Sequence, residues 1–482
     1  MQHFRSHGAA PTAGHKRELL ALRLTLIYLL ATAALGAASR GDELVLALLR
    51  PLAIALGAAA IWLWPARSLT RVWPLVAFIG SVALLCIVQL IPLPPDLWSA
   101  LPGRDVVADL DRIVFSDLPW RAATLSPRGT FNTLFYALSL IGGLLLLGPA
   151  LAAKEREAVL LRVVLGIAVV SVLLALFQSR GGQALYQPYR LMAPGPSGLF
   201  SNSNHFGMFS AIGILIAVRL ASMGKLAGAQ AAQWMICALI AVVMLAGALV
   251  SASRLAFGAS GIALLCATLV FLRNVVWQNG KAGRTLTKKE RQRRRLIGLG
   301  LIVASLVLTA LFVWIALIRR EVSMGNFEEV AIADSIRVHL APILAKLVSE
   351  HWLVGIGFGS FADYYAIIEP AERLGPQYVN QAHNDFAQIV IEGGILAGFI
   401  MLSAIVWLGR RLLGLIRAGC TNRAILVTGL FAITAMGSLL DYVLRTPLFA
   451  YVVLMLVTLW LTNEDGDART SKRAGRQGSL QQ

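Results

Sequence analysis

Charge is scarce in this chain: Asp, Glu, Lys and Arg make up 14% of its 482 residues, against about a quarter in an average soluble domain. The apolar share is 57% and the mean hydropathy +0.71, so no polar stretch is long enough to build a soluble enzyme beside a membrane anchor. Cysteine is rare as well. Cys86, Cys237, Cys266 and Cys420 lie far apart, which gives neither a disulfide framework nor a metal-binding spacing. A Walker loop, His-Glu-x-x-His, paired Cys-x-x-Cys and a Gly-x-Ser-x-Gly elbow are all missing, so ATP hydrolysis and zinc proteolysis have no foothold. Acidic residues number 25 against 43 basic ones, a net charge of +18. In a soluble chain that excess would suggest nucleic acid. In a membrane protein it marks cytoplasmic loops, and no nucleic-acid partner is expected.

What the sequence has instead is long apolar blocks, most of roughly 18–22 residues, the length of a helix that crosses a bilayer. About twelve can be counted, near 18–37, 43–64, 73–92, 130–151, 157–178, 204–222, 231–250, 255–273, 296–318, 384–409, 424–440 and 446–462. The expected fold class is an all-α polytopic membrane protein. Ala34-Leu35-Gly36-Ala37 resembles a cleavage site, but the first block is longer than a signal peptide core and is read as retained. With the N-terminus cytoplasmic, the clusters Arg67–Arg71, Lys154–Arg156, Arg219–Lys225, Arg273–Arg295 and Arg410–Arg423 all fall on the cytoplasmic side, as the positive-inside rule requires. Both termini are then cytoplasmic, with polar tails over 1–17 and 463–482 flanking one membrane domain, 18–462. The basic loop at 273–295 suits membrane lipids with anionic headgroups, as well as topology control. Three long segments remain on the outer face: 93–129, 179–203 and 319–383. The last carries a short amphipathic stretch near Ser335–Ser349, and long loops on a rigid scaffold are where chemistry is placed.

Several residues on that face can carry chemistry. Arg254 sits in the tight turn Ser251-Ala252-Ser253-Arg254, and Arg337 in Asp334-Ser335-Ile336-Arg337. A snorkelling or solvated arginine would look the same; a guanidinium fork also suits a phosphate or diphosphate. His383, in Gln381-Ala382-His383-Asn384-Asp385, stands where the longest outer segment meets a span. An imidazole there can accept a proton from a hydroxyl near neutral pH. Asn384 and Asp385 would fix its orientation, or cap the helix. Asn202, Asn204 and His205 open another span and offer hydrogen bonds to sugar. Gly355, Gly357 and Gly359 permit a tight turn before Phe361, and their spacing falls short of a dinucleotide fingerprint. Trp352, Phe358, Tyr364, Tyr365 and Tyr378 suit either sugar stacking or an interfacial belt.

With these residues in order, the chain resembles the O-antigen ligase and polysaccharide polymerase superfamily. The likeness rests on Gly-Leu-Phe-Ser-Asn-Ser-Asn-His-Phe-Gly at 198–207, Ser253-Arg254, Arg337 followed by His351-Trp352-Leu353-Val354-Gly355-Ile356-Gly357-Phe358-Gly359-Ser360-Phe361, and His383-Asn384-Asp385 with Glu392-Gly393-Gly394. It is best over 198–400. Asn202-Ser203-Asn204-His205 stands where the family usually has Asn-Pro-Asn-His, and His351-Trp352 where it has His-Pro. The resemblance implies a GT-C-like glycosyltransferase of the bacterial inner membrane. It would take a glycan from undecaprenyl diphosphate at the periplasmic face, with lipid A–core or a second lipid-linked repeat unit as acceptor. Arg254 and Arg337 would hold the diphosphate and His383 would act on the acceptor hydroxyl, with inversion and with neither metal nor organic cofactor. The other class considered is a transporter or flippase, which would place ionisable groups at mid-bilayer and show two matching halves; here the polar groups gather at one face.

Overall fold

A computed structural model describes residues 13–41, 43–115, 117–151, 155–181, 189, 195–223, 227–276, 287–322, 327–371 and 379–461. Among them the two strands, Pro92–Leu93 and Arg121–Ala122, form one antiparallel pair with Pro92 opposite Ala122. The rest is helical: α1 (Ala13–Leu35), α2 (Leu46–Leu63), α3 (Trp73–Gln89), α4 (Pro95–Trp98), α5 (Asp105–Val114), α6 (Pro127–Ala150), α7 (Glu155–Gly181), α8 (Ser203–Ser222), α9 (Ala227–Val250), α10 (Arg254–Phe271), α11 (Lys288–Val322), α12 (Phe327–His351), α13 (Phe361–Ile368), α14 (Asp385–Arg417), α15 (Thr421–Leu440) and α16 (Pro447–Leu461).

Ten of these helices are long and apolar enough to cross a membrane, and α3 and α16 are shorter apolar helices of 17 and 15 residues. Those ten and two correspond to the twelve expected blocks one for one. The chain is an all-α, multi-pass membrane protein. Its surface agrees: Leu48, Trp62, Leu84, Met235, Leu239 and Leu402 are exposed, as apolar side chains facing lipid tails should be. Inside, α8 is the axis of the bundle, buried along 89% of its span and packed against α7, α9, α10 and α15. Helix α16 lies almost wholly inside, where Tyr451 meets Tyr28 of α1 edge-on at 4.8 Å.

The bundle has two ends of different character. At one, basic residues meet helix ends and acids: Arg156 pairs with Glu18 at 2.9 Å, Arg219 with Glu157 at 2.8 Å, and Arg71 donates to the carbonyl of Leu151. At the other gather the segments around 90–126, 195–205, 251–254, 355–361, 381–385 and 441–446.

The 319–383 segment departs from expectation. Where the pattern suggests a short amphipathic stretch near 335–349, α12 runs for 25 residues. Glu328, Glu329, Asp334 and Arg337 lower the hydropathy there without lowering helix propensity much, so the helix is longer than its apolar signal. Most of the two tails, 1–12 and 462–482, and the centre of the basic loop, 277–286, lie outside the described residues.

Candidate functional site

Three helix N-termini converge at this second end, each closed by its own side chain. Asn202 accepts from the N–H of Asn204 at 2.8 Å at the start of α8; Ser253 accepts from Ala256 at 3.2 Å on α10; Asn384 accepts from Ala387 at 3.0 Å on α14. Each terminus carries a partial positive charge, and the anion that meets them is Asp441. Its carboxylate is fully buried. It accepts from Asn204 Nδ2 at 2.6 Å and from the N–H of Tyr442 at 2.9 Å, while Asn204 in turn accepts from Ser253 Oγ at 2.6 Å. One hydrogen-bonded chain thus links α10, α8 and the α15–α16 connection.

The two histidines flank the same carboxylate. His383 Nδ1 lies 3.5 Å and His205 Nε2 3.7 Å from Asp441 Oδ1. Tyr442 stands between the rings, edge-on to His205 at 5.1 Å and to His383 at 4.9 Å, with its hydroxyl 3.4 Å from Asn202 Nδ2. His205 is enclosed and shares a 2.8 Å contact with Thr446 Oγ1. His383 is different: its side chain is 21% exposed, and its backbone has φ of +52°. Left-handed backbone at a residue that is not glycine is strained by about 1–3 kcal/mol and clusters at functional sites. Burial alone would push the Asp441 carboxyl up, but hydrogen bonding and charge from His205 and His383 outweigh it and hold the group well below the usual carboxylate range.

A second layer lies beneath. Asp385 pairs with Arg445 at 3.1 Å, and Arg445 reaches Glu392 at 3.4 Å. Burial pulls the Arg445 guanidinium down, and the two carboxylates more than reverse this, leaving it above its ordinary value. Gln388 donates to Glu392 at 2.9 Å and accepts from the N–H of Ala382 at 2.8 Å, which anchors the residue before His383. Helix α14 breaks at Gly394, where φ is +62°. The break frees carbonyls for the glycine turn: Ile356 N–H donates to Ile391 and Gly357 N–H to Glu392, both at 2.9 Å. From α3, Gln89 donates to the Glu392 carbonyl at 3.0 Å and accepts from Phe358 N–H at 2.9 Å.

The residues singled out in the sequence thus separate into groups. His383, His205, Asn204 and Asn202 meet around Asp441 and Tyr442. Arg254 is the first residue of α10, adjoining the Ser253 that bonds Asn204, and its side chain is exposed. Arg337 lies within α12, but its side chain falls outside the described residues. Asn384 is the helix cap, and Asp385 turns to Arg445; the carboxylate beside His383 is Asp441 instead. Gly357 and Gly359 have φ of +102° and +76°, and a methyl group at either would strike Thr124 or the Gly129 carbonyl, so they seat the turn against its neighbours. Phe358 and Tyr365 are buried, Trp352 is about half exposed, and Tyr378 lies outside the described residues. Sequence reasoning missed Asp441, Tyr442, Arg445 and Thr446. The available signal was a pair of opposite charges in the six-residue connection between two apolar helices, in a chain with only 25 acids. Among the described residues no group of three or more His, Cys, Asp or Glu is arranged to hold a metal ion.

Residues 239–402 match the family model described as O-antigen ligase. Over that stretch, about a third of the chain, the sequence is similar to O-antigen ligases. The matched stretch runs from within α9 to within α14 and carries Arg254, Arg337, the glycine turn and His383, while His205 and Asp441 lie on either side of it. No curated protein matches the chain. The match supports a role in membrane glycan processing of the ligase or polymerase kind.

Proposed function

We propose that the chain is an inner-membrane glycosyltransferase with its site at the periplasmic face. It would move a glycan from undecaprenyl diphosphate to an acceptor hydroxyl, on lipid A–core or on another lipid-linked repeat unit. The observation that carries this reading is the buried Asp441 carboxylate held against His383, beside the Arg254 end of α10.

The chemistry follows from charge. Asp441, Asp385 and Glu392 outnumber Arg445 in the buried layer, so this part of the site favours a cation and suits proton transfer better than phosphate binding. His383 takes the acceptor proton as the hydroxyl oxygen bonds to the anomeric carbon. The imidazolium that forms lies next to Asp441; at 3.5 Å and an effective dielectric near 20 the attraction is on the order of 5 kcal/mol before desolvation. The bond from the anomeric carbon to the phosphate oxygen breaks, the undecaprenyl diphosphate leaves with the electron pair, and attack from the opposite side inverts the centre. Arg254, at the positive end of α10, and Arg337 supply the charge that stabilises the leaving group. His205, locked by Thr446, holds Asp441 from the other side.

The test is an in vitro transfer assay with the purified full-length chain and lipid-linked repeat units, offering lipid A–core or a second repeat unit as acceptor. Product with either acceptor supports the reading and separates ligase from polymerase. No product with either, from protein that retains its helical content, overturns it.

A further inference from the structure

Helix α5 sits in the connection between α3 and α6, at the same end of the bundle as the Asp441 cluster. Arg104, immediately before it, donates to the Gly355 carbonyl of the glycine turn at 3.1 Å. Nine of its ten residues divide into three faces at helical spacing. Ala108 and Asp111 are buried, and Asp111 pairs with Arg121. Asp105, Asp109 and Arg112 are exposed, and the last two bond each other at 2.6 Å. Val106, Leu110, Ile113 and Val114 occupy an arc of about 100° on the remaining side, and all are exposed, Ile113 at 81% and Val114 at 71%. Phe115, Leu97 and Trp120, from the flanking segments, are exposed too.

A water-facing helix has no reason to show four aliphatic side chains in register beside its charged stripe. The apolar face also continues a lipid-facing one: Leu84, Ile87, Val88 and Ile91 form an exposed stripe at the end of α3, which leads directly into Leu97 and α4. An apolar face, an adjoining charged face and low net hydrophobicity are the marks of a helix lying in a membrane interface, and tryptophan is favoured at that depth. We infer that α5 is seated in the surface of the outer leaflet, its Val106–Leu110–Ile113–Val114 face among the acyl chains and its Asp105–Asp109–Arg112 stripe at the headgroups. The occupant of the face is the phospholipid bilayer itself. Through Arg104 and the Gly355 turn, this ties the level of the site to the membrane surface, and it holds whether or not the proposed reaction is correct.

Spin labelling in lipid nanodiscs tests it. Cys86, Cys237 and Cys266 are buried and Cys420 is partly exposed, so a Cys420→Ser background accepts single labels through Val106→Cys, Leu110→Cys, Ile113→Cys, Asp109→Cys and Arg112→Cys. Labels at 106, 110 and 113 should collide more with oxygen than with a nickel chelate, at a depth of about 5–10 Å below the headgroups; those at 109 and 112 should show the reverse. Dominance of the nickel chelate at all five positions would put the helix in water and overturn the inference. So would immobilised labels at 106, 110 and 113 with spin–spin broadening, which would make the face a contact between copies of the chain.

Discussion

At the scale of the residue, the site is a carboxylate shared by two imidazoles, only one of which reaches the surface. His383→Ala should abolish glycan transfer and leave membrane insertion and helical content intact; a variant with full activity would remove the proposed base. Asp441→Asn should lower kcat by about 10²-fold or more, because the amide cannot stabilise the imidazolium, measured with the lipid-linked donor held at saturation. The Asp441 carboxyl is held below its usual range by His205 and His383 against the opposing effect of burial. Its contribution to stability is therefore complete above the ordinary carboxylate value and is lost only as pH falls toward the depressed one. Between pH 5 and 8 it stays ionised, so the carboxylate that stabilises the imidazolium is present across that window. Arg254→Lys should lose most activity, since an ammonium lacks the planar fork, and unchanged donor binding would argue against a diphosphate contact. The sequence made His383 and Arg254 visible as polar groups between apolar blocks. It gave Asp441 no prominence, because its partners come from α8 and from the segment before α14, far away in the chain.

At the scale of the element, the glycine turn at 355–360 and the break in α14 form one unit with α3. The break exposes carbonyls that a continuous helix would have used internally, and the turn and Gln89 satisfy them. Gly357→Ala would place a methyl group on Thr124 in a backbone of positive φ and should cost about 1–3 kcal/mol, read as a lowered Tm in detergent with transfer reduced in parallel. Gln89→Leu should destabilise by about 1–3 kcal/mol for each buried backbone group it leaves unpaired. An unchanged Tm in both variants would mean the turn does not depend on this bracing. That three glycines make a turn is legible in the sequence. That Gln89, at the end of an apolar span, is the clasp is not, since a lone glutamine there looks like any residue near an interface.

At the scale of the whole molecule, the twelve crossings expected from the sequence would return the chain to the side it started from, and basic residues of several connections meet at one end of the bundle. Fusions of a fluorescent reporter after residue 461 and of alkaline phosphatase within 99–103 or at 379–381 should both be active, the first marking the cytoplasm and the second the periplasm. The opposite pattern would invert the site and take the lipid-linked donor away from it. The α12 helix shows where pattern reading is weakest: its charges mask its length, and only packing against α14 reveals how far it runs.

Composition and periodicity by themselves determined that this chain lives in a bilayer and where its apolar helices lie, because the cost of placing charge in hydrocarbon acts on local sequence. Which carboxylate stands beside which histidine was decided only by tertiary structure. Pairing energies depend on distance in space, and the helices that supply Asn204, Ser253, His383 and Asp441 come within reach of each other only when α8 is enclosed by its neighbours.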